Sequence, residues 1–224
     1  YRTYYTGNIF NLLTTHKTEW YSNRVQNSSS IYNFRDLTEQ EKIDYLTYDY
    51  PNLTNGQMNS ILSDYYPINK YEQQYFNTLN ARLGPSKQCH VFLVIWKNST
   101  IKYAEMQQRY WKGGNKNEFV INVDVDNAGN LKWFYTFSWT DKEICKIKMR
   151  AYLNLVKDKK LNIYKLTDNT YDILSKNWKR KNFADFKFLH VDLKTYQLII
   201  IYIIAFIVSI GCIIWAVKNE YTEK

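Results

Sequence analysis

Between Leu198 and Val217 the chain runs for 20 residues without a charged side chain. An α-helix rises about 1.5 Å per residue, so such a run reaches about 30 Å, the thickness of a bilayer's hydrocarbon core. The full stretch, Tyr196–Val217, reads YQLIIIYIIAFIVSIGCIIWAV, and Lys194 and Lys218 bracket it. Tyr196 and Trp215 stand at its borders, where the headgroup layer selects aromatics, with cations just beyond. A soluble core helix of this length usually shows a polar stripe. The expectation is an integral membrane protein with a C-terminal single-pass anchor over 196–217 and a short polar tail over 218–224.

Upstream of the anchor lie about 195 residues, enough for one domain with a helical preface. Mean hydropathy is −0.52 in spite of the apolar run, so the remainder faces water. Aromatics make up 17% of the chain, which argues for a packed core rather than disorder. The net charge of +9 is unevenly placed. Residues 1–100 hold nine basic and eight acidic side chains, whereas residues 142–194 hold fourteen and six. An excess beside the anchor favours anionic lipid headgroups over nucleic acid, with Lys179, Arg180, Lys181, Lys187 and Lys194 as the lipid-binding set. An ordinary solvated basic face remains the alternative. Arg180, Lys181, Lys187 and Lys194, counted against Lys218 and Lys224, put the domain on the cytoplasmic side by charge bias. Cys89, Cys145 and Cys212 form no disulfide framework, and buried free thiols are expected at the first two.

Read in order, residues 8–24 have helical apolar spacing, and Asn27-Ser-Ser reads as a loop. Two similar units follow, 37–51 and 53–67, each opening on Leu-Thr and closing on Tyr-Pro. Thr38 with Glu41, and Thr54 with Gln57, match the capping box, so both units are expected to be short helices. A third unit starts at Asn69 with Glu72 three residues on, and Gly84-Pro85 is expected to stop it. Residues 1–85 therefore read as a helical preface.

The period then changes. Cys89–Trp96 is a continuous apolar run, the mark of a buried strand. Residues 101–111 read as an amphipathic helix with Ile101, Ala104 and Tyr110 or Trp111 inward. Residues 118–126 alternate, with Phe119, Ile121, Val123 and Val125 on one face. Asn127–Asn130 is turn chemistry, and 131–139 is an aromatic strand with Trp133, Tyr135, Phe137 and Trp139 on one side. A helix capped by Thr140 and Asp141 is expected to about Val156, then a short strand at 161–164 and a helix capped by Asp168 or Thr170. The fold class is α/β: a small mixed sheet with helices in the order strand–helix–strand–hairpin over 86–178. A basic juxtamembrane segment, 179–195, joins it to the transmembrane helix.

Four elements of the middle of the chain carry a family resemblance: Tyr103-Ala104, Arg109-Tyr110-Trp111, Gly113-Gly114-Asn115 and Asn117-Glu118. In this order, between a helix and an apolar strand, they resemble the TPM domain over about residues 69–160. That family includes membrane-anchored proteins of bacteria, thylakoids and nematodes. Where it carries a glycine-rich strand pair, this chain has Trp133–Trp139. The resemblance implies a following transmembrane helix and a domain outside the cytoplasm, against the charge bias. It also implies phosphatase activity in some members, which would need a carboxylate metal site here. The phrases LGPSKQ, YWKGGNKNE and FSWT also resemble those of bacterial or phage membrane proteins.

The residues that could serve such chemistry are few. Asp124 and Asp126 lie on the strand face opposite Ile121 and Val123. With Asn127 and Glu118 they offer the oxygen ligands that Ca²⁺ or Mg²⁺ takes. The same residues at a hairpin end can simply be solvated and shape the turn, and the spacing departs from an EF-hand. The loop KGGNKN follows a helix and opens a strand, the reverse of a phosphate loop, so a helix cap and crossover turn is expected. His16, His90 and His190 are far apart, and no nucleophile motif or zinc spacing exists. The sequons at Asn27, Asn52 and Asn98 are those expected by chance in a chain so rich in asparagine. The leading expectation is a non-enzymatic interaction domain without a cofactor, assisting a membrane complex. The alternatives are a metal-dependent phosphohydrolase of TPM type and a viral or phage protein that modifies an envelope.

Overall fold

The apolar run after Cys89 becomes β4, His90–Lys97, with Val91 through Trp96 buried. A strand with no polar side has to lie inside a sheet with layers on both faces. In this computed structural model, which describes residues 36–51, 53–54, 57–186 and 193–222, β4 has parallel neighbours on both sides. They are β3, Ile61–Leu62, and β5, Glu118–Val125. An antiparallel partner, β6, Leu131–Ser138, completes the order β3-β4-β5-β6. The chain is thus α/β, with a small mixed sheet built strand–helix–strand–hairpin. The helix expected over 8–24 and the cation Lys187 lie outside the described residues.

Val91, Leu93 and Ile95 of β4 and Phe119, Ile121 and Val123 of β5 form one face of the sheet. Three helices cover it: α2 (Lys70–Lys87), α4 (Glu143–Leu155) and α5 (Ile163–Asn177). Phe92, Val94, Trp96, Val120 and Phe137 form the other face, under α3 (Ile101–Tyr110) and Trp111. Strands β3, β4 and β5 advance in one direction along the sheet, yet α2 and α3 sit on opposite faces. The two crossovers therefore have opposite hands, and one of them departs from the right-handed rule. The two-sided cover also changes β5. The alternation of its sequence predicts a half-exposed strand, but every residue of Glu118–Val125 is buried, Asn122 and Asp124 included. Ala104 of α3 and Trp111 just after it are buried as expected, while Ile101 is exposed.

The preface is less helical than its caps predict. The first unit forms α1 over Glu39–Asp44 only, with the Thr38–Glu41 capping box in place. Leu46 then takes a left-handed φ of 46° and the chain runs on without helix to Pro51. The second unit is not a helix. Leu53–Thr54 (β1) pairs antiparallel with Gln57–Met58 (β2), with Thr54 opposite Gln57 in the register. Asn55-Gly56 between them is the strongest short hairpin signal in the chain, and it outweighs the capping box. The third unit is the helix expected, capped by Asn69 and Glu72. It runs through Pro85 to Lys87 and ends at Gln88, whose φ is 50°. Phe76, Leu79 and Leu83 fix it to the sheet, so the loss of one bond near its end does not stop it.

Two later caps also differ. α4 begins at Glu143 after an N-cap at Lys142. Thr140 instead donates its hydroxyl to Lys179 O at 2.9 Å. α5 takes in the expected short strand: Asn162 accepts from Lys165 N–H at 2.9 Å, and the helix runs unbroken from Ile163. Ile163, Leu166, Thr170 and Leu174 recur at three and four residues and are buried, a helical period that overrides the local strand reading. The final helix, α6, spans Thr195–Thr222. Among the described residues it is the one helix long and apolar enough to cross a membrane, over Thr195–Asn219, and its apolar window is wholly unburied.

Candidate functional site

The C-terminal ends of β4 and β5 are where an open α/β sheet usually holds a ligand. Asp124 and Asp126 are both there, but each is engaged. Asp124 Oδ1 accepts from the backbone N–H and the hydroxyl of Ser99, both at 2.8 Å. Trp133 Nε1 in turn donates to Ser99 O at 2.8 Å, so the carboxylate and the indole together fix the turn that opens α3. Burial pushes the Asp124 carboxyl up, against the Ser99 bonds, with the neighbouring Asp126 adding to the rise. Asp126 is half-buried and shapes the hairpin. Its Oδ1 accepts from Ala128 N–H at 2.9 Å and Asn130 N–H at 2.8 Å, and its Oδ2 from the Asn130 amide at 3.1 Å. Those bonds, the Asn130 backbone first, hold its carboxyl below the usual range. Asn127 Oδ1 accepts from the Asn98 amide at 2.9 Å.

Glu118 does not join them. It opens β5, six residues before Asp124, which puts it about 20 Å away along the strand. Glu118 is fully buried, and its carboxylate accepts from Asn115 N–H and Nδ2, both at 2.7 Å, and from the Tyr50 hydroxyl. Burial raises its pKa, with the Asn115 and Tyr50 bonds opposing the rise. Among the described residues no three His, Cys, Asp or Glu side chains gather as a metal site.

The glycine loop makes the same end of the sheet rigid. Gly113 and Gly114 both have φ of +80°. A Cβ at Gly113 would stand 2.7 Å from the Trp139 ring, and Trp139 Nε1 donates to Gly114 O at 3.1 Å. The loop therefore lets an indole approach the backbone closely and aims Asn115 at Glu118. That is the helix cap and crossover turn expected from its order in the chain.

Two buried amides escaped the sequence reading. Gln107 of α3 donates to Tyr48 O at 3.0 Å and accepts from Tyr48 N–H at 2.8 Å, so it binds residue 48 as a neighbouring strand would. Trp111 Nε1 donates to the same carbonyl at 2.9 Å. Burial pushes the Tyr48 phenol up to about 12. Asn80 of α2 accepts from Val91 N–H at 2.7 Å and donates to Val91 O at 3.0 Å and to Ser60 Oγ at 2.9 Å. β3 reaches only as far as Leu93 and Val94, and Asn80 takes its place at the start of β4. Ser60 Oγ lies 3.1 Å from His90 Nε2, so the histidine belongs to the framework. A lone Asn or Gln inside a helix gives no sign in sequence that it faces a backbone.

The basic segment is in part tied to the domain. Arg180 donates to Gln88 Oε1 at 2.7 Å, and Lys181 pairs with Asp141 at 2.8 Å. Lys179 and Lys194 are exposed, as is Tyr196, while Trp215 lies 69% exposed near the far end of α6. Cys89 and Cys145 are buried free thiols, both in the core under α2, α4 and α5. Comparison with protein-family models, curated proteins and solved structures finds no match to this chain.

Proposed function

We propose that the chain is a single-pass membrane protein whose α/β domain acts as a binding and assembly module for a membrane complex. The observation that carries this reading is α6, a helix of membrane-spanning length and apolarity whose apolar window is not covered by the domain. A helix that is apolar all round and unburied needs an apolar solvent. The non-enzymatic half of the reading is supported by Asp124, Asp126 and Glu118, whose oxygens already accept bonds from the chain itself. We carry the TPM likeness forward as a proposal, on the order of helix, glycine loop, strand and hairpin followed by an apolar helix.

The test is divalent metal. The full chain in detergent is melted with and without Ca²⁺ or Mg²⁺ and assayed for phosphomonoester hydrolysis. The module reading expects an unchanged melting temperature and no turnover. A metal-dependent rise in melting temperature, lost together with hydrolysis in Asp124→Asn and Asp126→Asn, would replace it with a metal-dependent phosphohydrolase.

A further inference from the structure

Helix α4 has two apolar faces where a surface helix needs one. Cys145, Met149 and Leu153 point into the core. Ile144, Ile147, Ala151 and Leu155 recur at three- and four-residue spacing on the outside, and Ile147 and Leu155 are 57% and 72% exposed. At 100° per residue, Lys148 borders this stripe on one side; on the other come Asn154, Glu143 and then Arg150, and Lys148 and Arg150 are both exposed. From Lys142 to Lys160 the chain holds seven basic residues and two acidic ones. Both acids are ion-paired, Glu143 with Lys146 at 2.6 Å and Asp158 with Lys132 at 3.1 Å. An exposed apolar stripe between cations is the chemistry of a helix lying in the headgroup layer.

The path of the chain brings this face to a membrane, granted that α6 is the anchor. Lys181 is held by Asp141, two residues before α4 begins, and Thr140 holds Lys179 O. The chain therefore leaves the domain beside the N-terminal end of α4. From Phe186 to Thr195 there are nine residues of chain, a reach of about 30 Å at full extension. The domain cannot stray farther than its own width from the bilayer surface.

We propose that the outer face of α4 rests on an anionic bilayer, with Ile144, Ile147, Ala151 and Leu155 at the acyl boundary and Lys148 and Arg150 among the headgroups. Lipid contact then centres on α4, while Arg180 and Lys181 hold the tether to the domain. An acidic protein would satisfy the cations but offers no reason for the apolar stripe between them. The bilayer meets both, and the tether supplies it at high local concentration.

The test uses the full chain in nanodiscs, with Cys212→Ser to remove the exposed thiol. A polarity-sensitive fluorophore is placed at Ile147→Cys, and at Asp172→Cys on the exposed side of α5 as control. In mixed phosphatidylcholine and phosphatidylserine discs, the label at 147 is expected to shift to the blue and the control to stay water-like. High salt, or Lys148→Glu with Arg150→Glu, is expected to reverse the shift. A water-like label at 147 in anionic discs overturns the proposal, and so does an equal shift in phosphatidylcholine alone. A blue label in anionic discs that survives both high salt and the charge reversal also overturns it, and assigns the face to another copy or to another segment of the chain. A chain that fails to enter the discs refutes the anchor itself, which separates that failure from a failure of the α4 contact.

Discussion

Replacing Gly113 by alanine tests whether the glycine loop is the rigid joint between α3 and β5. The residue has φ of +80°, where a side chain costs about 1–2 kcal/mol relative to glycine. The new Cβ would lie 2.7 Å from Trp139 Cζ2 and 2.9 Å from Cε2 and Nε1. The indole must then move, which breaks its 3.1 Å bond to Gly114 O, at about 1 kcal/mol net. Together the expected loss is about 2–3 kcal/mol, a fall in melting temperature on the order of 10 °C for a domain of this size. Near-UV circular dichroism of the full chain in detergent reads it through the tryptophans. Two comparisons isolate the cause. Gly84→Ala meets nothing within 4 Å beyond its chain neighbours inside α2, and its gain in helix propensity is set against the strain that Pro85 puts on a helical residue before it, so it is expected to stay within about 1 kcal/mol of the parent. In a Trp139→Ala background, Gly113→Ala is expected to cost only the backbone share, about 1–2 kcal/mol. A Gly113→Ala variant within about 0.5 kcal/mol of the parent would refute the reasoning, as would a cost that Trp139→Ala leaves unchanged.

Glu118 sets part of the pH dependence of stability. Its folded pKa is raised above the unfolded value, so its stabilising share is complete below the unfolded pKa and is lost as pH rises through the folded one. Stability curves from pH 4 upward are expected to fall more steeply for the parent than for Glu118→Gln, by at most about 1.4 kcal/mol per pH unit, and equal slopes would refute this. Asn80→Ala strands the buried Val91 N–H and is expected to cost about 2–3 kcal/mol in denaturant unfolding, against about 1 for half-buried Asn169→Ala; equal costs would show that β4 needs no substitute partner.

Three of the four strands of the sheet were legible because they are long and their signals agree, whereas β3, two residues within a unit read as a helix, was not. Cys89–Trp96 is too apolar for a surface, and Asn127–Asn130 is hairpin chemistry, so the strand order follows. The preface was not. Two stretches with the same Leu-Thr opening became a helical turn and a hairpin, because Asn55-Gly56 favours a turn and because Gln107 and Trp111 hold residue 48 in non-helical backbone. Glu118 and Asp124 fall on one strand with Asp126 just past its end, but sequence cannot say what they accept. Ser99 for Asp124, and Tyr50 for Glu118, come from 25 and 68 residues away. The outer stripe of α4 was present in the sequence as Ile144, Ile147 and Leu155. It had no meaning until the core was seen to use Cys145, Met149 and Leu153 instead.

The most direct test of the account is flotation of cell membranes after alkaline carbonate extraction, on the full chain and on a chain lacking residues 195–224. Carbonate strips proteins held by charge or by partners and leaves those that span the bilayer. The full chain is expected to float with the membranes, and the shortened chain to remain in the soluble fraction as a folded domain with its near-UV signal intact. A full chain released by carbonate, or a shortened chain that still floats, would contradict the claim that α6 is the anchor.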